Sequence, residues 1–415
     1  METEILNRIT NEDNVSTQIK TDLIYSFEAQ DEIFSPAFAI LREAIEQRAF
    51  PGASIAVTHQ GRLVALKSFG HFVYPGDHPA PLGITASTLF DLASVTKAVA
   101  TTTMAMILYE RGLLELDAPV IGTIPEILVD SCGEPDPRRR EITFRMLLAH
   151  SSGLPAYEKL FLKAQSRDDL LRAAFTTPLT ADPGAHAEYS DIGFILLGVA
   201  LERHAEEPLD TFCQREIFGP LAMTRTTFNP APDLRDHIPP TADDRTFRHK
   251  VIQGEVQDEN AWVLGGVAGH AGLFSTAEDL GRFGHTMLQC SAGTPVRELP
   301  EEEAAPSVSP RLTGSPPRGI LRPETIALFT RRESTPSGTS RSLGWDTPSA
   351  PSQSGKHFGP SSYGHLGYTG TSLWIDPDRQ LSITLLTNRT WPDSSNQAIK
   401  HVRPRFHDAI IEALR

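Results

Sequence analysis

The sequence predicts an α+β fold, in which an antiparallel β-sheet flanked by terminal helices is joined to a mostly helical subdomain. Three observations carry this expectation: a helix followed by a hairpin near the N-terminus, a hairpin followed by a helix at the C-terminus, and chiefly helical patterning between them. The 415 residues are 40% hydrophobic and 22% charged, enough to bury a large core in one big domain or two joined ones.

Residues 1–34 are polar and weakly patterned and read as an N-terminal extension to a domain spanning 35–415. Ser35-Pro36 reads as an N-cap with proline at the first helical position, opening a helix that gathers Phe38, Ile40, Leu41, Ala44 and Ile45 near one face. ASIAVTH and RLVALKSFG are β-rich segments about Gln60-Gly61, a hairpin signature. The sheet part is expected at about 35–90 and 320–415, the helical part at about 91–290. Within the latter, SVTKAVATTTMAMILYERG predicts a helix stopped by Gly112, and ITFRMLLAH and DIGFILLGVALERHA predict two more. The Pro/Ser-rich stretch 291–319 lacks the apolar residues to order itself and reads as a flexible loop, and a second Ser/Pro/Gly-rich segment covers 334–360. TSLWIDPDRQLSITLLTN then forms a hairpin about Asp-Pro-Asp-Arg, and Pro404 opens a closing helix, RFHDAIIEALR. No repeat is visible.

Composition excludes several function classes. With 38 basic and 52 acidic residues the net charge is −14, which disfavours nucleic acid and anionic membrane surfaces as partners. No run approaches the ~18 apolar residues of a spanning helix, and the first residues lack an export signal, so a cytoplasmic protein without a membrane span is expected. Cys132, Cys213 and Cys290 are odd in number and far apart, and read as three buried inert thiols. No His/Cys cluster has metal-ligand spacing, and oligomeric state is not legible.

Three segments could carry chemistry. Ser94-Val95-Thr96-Lys97, the only Ser-x-x-Lys in the chain, sits where LFDLA passes into a helix. Ser94 would then lie at the helix N-terminus with Lys97 one turn on, where a partly desolvated lysine of lowered pKa can take the hydroxyl proton. Alternatively, the pair is a cap followed by a solvated lysine. In Glu188-Tyr189-Ser190-Asp191, Tyr189 could reach the serine and lysine as phenolate or proton relay; the alternative is Asp191 capping the next helix with Tyr189 packed on it. In Tyr363-Gly364-His365-Leu366-Gly367-Tyr368-Thr369-Gly370, the glycines would let an edge strand approach a ligand; the plainer alternative is a glycine-rich strand entrance with an exposed histidine. Gly265–His270 reads as a turn on a site wall, His150 as structural, and Asp258, Glu259 and Asn260 as either cleft lining or solvated loop. No Gly-x-Ser-x-Gly elbow is present.

Together these segments resemble the β-lactamase and penicillin-binding-protein family of active-site serine hydrolases, in its class C-like esterase and D,D-peptidase branch. The resemblance covers about 35–415 and extends to LLAHSSGLP, EYSDIGFILLG, IFGPLAMTRTTF, DENAWVLGGVAGHAGLFSTAEDL and GHLGYTGTSLWIDP. It implies Ser94 as the acylated nucleophile, and Lys97 with Tyr189 as general base and acid. It further implies an oxyanion hole from the backbone N–H groups of Ser94 and Tyr368, with His365 beside a substrate carboxylate or the Tyr189 hydroxyl. Asp191 and Gly367 would line the substrate, and no metal or organic cofactor is implied. Two motifs depart from the family: Asp191 replaces the asparagine of Tyr-x-Asn, and His365-Leu366-Gly367 replaces Lys-Thr-Gly. A histidine charged only part of the time holds a carboxylate less well than a lysine. The expectation is an esterase-like serine hydrolase acting on a small ester, amide or peptide. The alternatives are a D-alanyl-D-alanine carboxypeptidase, a β-lactamase, or a non-hydrolytic binding or scaffold protein on the same fold.

Overall fold

The structure, a computed structural model, describes residues 23–77, 80–292 and 320–415; most of the N-terminal extension and nearly all of the 291–319 stretch lie outside these residues. Among the described residues eleven strands follow in chain order: β1 (Ile24–Tyr25), β2 (Gly52–His59), β3 (Arg62–Gly70), β4 (Phe90–Asp91), β5 (Thr227–Phe228), β6 (Ala242–Asp244), β7 (Lys250–Ile252), β8 (Leu273–Ser275), β9 (Tyr363–Leu366), β10 (Ser372–Asp376) and β11 (Leu381–Thr387). The main sheet has the order β1-β3-β2-β11-β10-β9, antiparallel except for the β1–β3 pair. Both terminal hairpins are therefore central to one sheet. The β2–β3 turn works because Gln60 and Gly61 both take positive φ, 48° and 81°.

The sheet is buried on both faces. Ile55, Val57, Ile383 and Leu385 face the N-terminal helix Ser35–Glu46 and the C-terminal helix Ile399–Ala413, which contribute Phe38, Leu41, Phe406 and Ile410. Ala56, Leu373 and Leu386 face the larger core of the helical part. Alternation along the strands thus reads as continuous burial, the pattern of a sheet between two layers. The α+β expectation holds, with two refinements. The helix Ala277–Ser291 lies directly against the sheet, Gly281 and Gly284 giving it room over Ala56 and Ser382. The helical part also carries two small sheets, β4-β8-β5 and β6-β7, whose strands of two or three residues are too short to show a period.

Local expectations are corrected at four places. Ser35 does not cap its helix: it is the first helical residue, because the short helix Gln30–Ile33 runs straight into it through Phe34. Leu23 is buried and β1 pairs with β3, so the described end of the polar extension joins the sheet. Pro404 lies inside its helix, which starts five residues earlier, at Ile399; burial of Ile399, Val402 and Arg403 holds the turn before the proline. Cys213 and Cys290 are buried as expected, but Cys132 is exposed beside the turn at Gly133.

Candidate active site

Ser94 follows β4 on a tight turn. Ala93 is held at φ 47°, a region alanine rarely adopts, by Asp91, whose Oδ1 accepts the Ala93 N–H at 2.8 Å. The second Asp91 oxygen accepts the Gln257 N–H at 2.6 Å. Burial pushes this carboxyl up to about 6. Two hydroxyls complete the seat: Thr369 donates to the Asp91 carbonyl and Thr371 to the Leu92 carbonyl, at 2.7 and 2.8 Å. Local turn and distant hairpin thus position Ser94 together.

Lys97 opens a π-helical stretch, Lys97–Thr102, that continues as the α-helix Thr103–Glu110. Its ammonium is fully buried and donates to three acceptors: Ser94 Oγ at 3.0 Å, Asp191 Oδ1 at 2.6 Å and the His270 carbonyl at 3.0 Å. The expected lowering of its pKa is not found. Burial does pull it down, but the Asp191 carboxylate opposes that pull, and the net shift is upward. In the resting site Lys97 is therefore a charged donor to Ser94.

Asp191 does not cap its helix, Asp191–Ala205; Ser190 does, accepting the Gly193 N–H at 3.0 Å. The Asp191 carboxylate is left free to pair with Lys97, its side chain only 16% exposed. Tyr189 is half-buried, its ring 4.9 Å from the Lys97 ammonium. Burial raises the pKa of its hydroxyl, the Lys97 charge opposes that rise, and the net shift is upward, so the phenol is neutral at rest. His150 stacks between Tyr189 and Phe194, with centroids at 4.6 and 5.0 Å, and its Nδ1 accepts the Ser190 N–H at 3.0 Å. It is a structural histidine that sets the tyrosine's position.

His365, on the edge strand β9, is buried rather than exposed, its ring 6.1 Å from that of Tyr189. Burial and then the Lys97 charge depress its pKa to about 3, so it is neutral throughout the physiological range. Its Nδ1 lies 2.8 Å from the Leu366 carbonyl, an acceptor, which places the proton on Nδ1 and the lone pair on Nε2. Next comes a turn in which Gly367 could bear no side chain: a Cβ there would sit 1.9 Å from Thr371 Oγ1 and 2.4 Å from the Leu92 carbonyl. Among the described residues the Ser94 and Tyr368 N–H groups donate to no protein acceptor. Ser94, Tyr189, Asp191, His365, Gly367 and Tyr368 all line one cleft of about 680 Å³, with Lys97 beneath it.

A model of the family described as Beta-lactamase matches residues 37–403. The chain belongs to the beta-lactamase family. Among similar proteins, an N-acetylmuramyl-L-alanine amidase of Bacillus subtilis is 31% identical over 366 residues, 82% of this chain and 77% of that protein. A putative D-alanyl-D-alanine carboxypeptidase of Salmonella paratyphi A is 29% identical over 380 residues, 84% of this chain and 81% of its own. Of solved structures, EstCE1, a hydrolase with promiscuous acyltransferase activity, superposes with a TM-score of 0.69 at 20% identity, covering 92% of this chain and 99% of its own. The penicillin-binding protein homologue of Pyrococcus abyssi gives 0.65 at 20%, covering 91% and 77%. These two share the fold. This beta-lactamase-family hydrolase is thus related in sequence to proteins named as an amidase and as a putative carboxypeptidase.

Other contributors to the family member's cleft were not singled out from sequence. Arg341 and Asp346 reach it from the low-complexity segment, Arg341 5.2 Å from the Tyr189 ring; Arg389, Lys400 and Arg403 come from the C-terminal region. Nothing in the local pattern of 334–360 announces that it packs. Asp258 and Glu259 line the cleft, whereas Asn260 is buried, fixing the Glu158–Phe161 backbone at 2.8 and 3.0 Å. The Gly265–His270 turn abuts the site: Gly269 packs on Gly198 and His270 offers Lys97 its carbonyl. His270 Nε2 in turn lies 2.8 Å from Asp258 Oδ1. Among the described residues no His/Cys/Asp/Glu group is arranged to hold a metal, and no helix is long and apolar enough to cross a membrane.

Proposed function

We propose that the protein is a serine hydrolase that cleaves an ester or amide bond of a small molecule through an acyl-enzyme on Ser94. The observation that carries this reading is the buried, charged Lys97, 3.0 Å from Ser94 Oγ and ion-paired to Asp191, below an open cleft. Ser94 Oγ attacks the substrate carbonyl carbon and the carbonyl oxygen takes the negative charge, facing the Ser94 and Tyr368 N–H groups. Because both Lys97 and Tyr189 favour their protonated forms, the proton route that fits is a relay: the Ser94 proton moves to the Tyr189 oxygen as the Tyr189 proton moves to the leaving group. Lys97 keeps its proton and stabilises the charge that builds on both oxygens. The bond to the leaving group breaks, and water then repeats the sequence on the acyl-enzyme. His365, neutral, offers Nε2 as an acceptor to the Tyr189 hydroxyl or to substrate.

A second reading, a D-alanyl-D-alanine carboxypeptidase, is favoured by the names of the relatives and by Arg341 and Lys400 along the cleft, which suit a substrate carboxylate better than a neutral His365 does. Turnover of p-nitrophenyl butyrate, a peptide ending in D-Ala-D-Ala, and nitrocefin by one preparation tests both. The esterase-like reading expects the ester to be hydrolysed fastest and nitrocefin slowest. Faster release of D-alanine would favour the carboxypeptidase, and binding without turnover of any of the three would refute hydrolysis.

A further inference from the structure

Two arginines grip the Gly367–Thr371 turn from behind. Arg403, from the C-terminal helix, is 4% exposed; its Nη2 donates to the Gly367 carbonyl at 2.6 Å and the Thr371 carbonyl at 2.8 Å, and its Nη1 to Gln353 Oε1 at 2.8 Å. Arg389, 5% exposed, donates from Nε to the Tyr368 carbonyl at 2.6 Å and stacks 4.4 Å from the Tyr368 ring. Among the described residues neither guanidinium is within ion-pair distance of a carboxylate; the neutral carbonyls of peptide groups and of the Gln353 side chain accept from these charges. Burial and then the Arg389 charge bring the Arg403 pKa down to about 9, which leaves it a cation at neutral pH. Burying a cation without a counter-charge is strongly unfavourable, and so large a cost calls for a physical return.

That return is legible in the covalent structure. The Gly367 carbonyl and the Tyr368 N–H are the two ends of a single planar, conjugated peptide group. Donors drawing electron density toward the carbonyl oxygen make the N–H at the other end a stronger donor, and this carbonyl accepts from both the Arg403 cation and the Gly370 N–H, the latter at 3.1 Å. Arg389 grips the next peptide, whose N–H belongs to Thr369, so it braces the turn without polarising the Tyr368 donor.

We propose that Arg403 is a positioning residue for acyl transfer, which polarises and orients the Gly367–Tyr368 peptide so that the Tyr368 N–H stabilises the oxyanion. The inference rests on the acyl-enzyme reading above and deepens it. Its test compares p-nitrophenyl acetate with O-(p-nitrophenyl) thionoacetate, whose sulfur is a weak hydrogen-bond acceptor, in the wild type, Arg403→Gln and Arg403→Lys, with melting curves for each. In Arg403→Gln the ester-to-thionoester ratio of kcat/KM is expected to fall about three- to tenfold, the thionoester rate staying near the wild type's. Arg403→Lys should lie between the two. An equal loss on both substrates, or an unchanged ratio, would overturn the proposal. Should Arg403→Gln give no cooperative melt, a fall of about twofold or more in Arg403→Lys supports it and an unchanged ratio there overturns it. A wild type that neither turns over ester nor acquires a Ser94 adduct would instead remove the acyl-enzyme reading, and this inference with it.

Discussion

At the scale of single residues, the Lys97–Asp191 pair decides the chemistry of the cleft. A lysine whose pKa is higher folded than unfolded adds stability that is complete below its ordinary 10.5 and is lost as pH rises through the higher folded value. Asp191→Asn removes the charge that opposes burial, so the Lys97 pKa falls. We expect a loss of about 1–3 kcal/mol in urea unfolding at pH 7 and a shift of the alkaline limb of kcat/KM to lower pH. Unchanged unfolding and an unmoved limb would contradict the pairing. The sequence placed Ser94, Lys97 and Tyr189 in one site through Ser-x-x-Lys and the order of the motifs. It could not assign Asp191, because Ser190 and Asp191 are both good caps and only the fold shows which side chain turns back to the helix N-terminus.

At the scale of elements, the Gly367–Thr371 turn links the sheet edge to the segment before Ser94, and its fit leaves no room for a methyl group. Gly367→Ala would drive a Cβ into Thr371 Oγ1 and the Leu92 carbonyl, displacing both the Tyr368 N–H and the Ser94 turn. Loss of about a hundredfold in kcat with a normal far-ultraviolet spectrum is the expected outcome, since one oxyanion donor carries about that much; wild-type kcat in this variant would show that the turn has slack. Hairpins and long helices were readable from period and turn residues, as at Gln60-Gly61. The 334–360 segment was not, because its order comes from burial of Leu343 and Trp345 against distant helices rather than from any local pattern. Pro404 was misplaced for the same reason: tertiary anchoring of Val402 and Arg403 extends the helix past a residue that locally marks a start.

At the scale of the whole molecule, buried neutral histidines, His150, His365 and His407 among them, predict acid sensitivity. Burial depresses the pKa of His365 and His407 to about 3 and takes His150 well below its ordinary 6.5. Each stays unprotonated when folded and takes up a proton when unfolded below pH 6.5, so stability is full above that value and falls as pH drops toward 3. The expected slope is about 1.4 kcal/mol per pH unit for each histidine, and His407→Asn, at a residue that does not line the cleft, should reduce it by one histidine's share. Denaturant unfolding at pH 7 and pH 5 measures it; equal slopes in the two proteins would contradict the assignment. The most direct test of the chemistry is intact-protein mass spectrometry with peptide mapping after exposure to a fluorophosphonate and to a slowly hydrolysed β-lactam. A single adduct on Ser94, absent from Ser94→Ala, is the predicted result. An adduct elsewhere, or ester turnover that survives in Ser94→Ala, would contradict it.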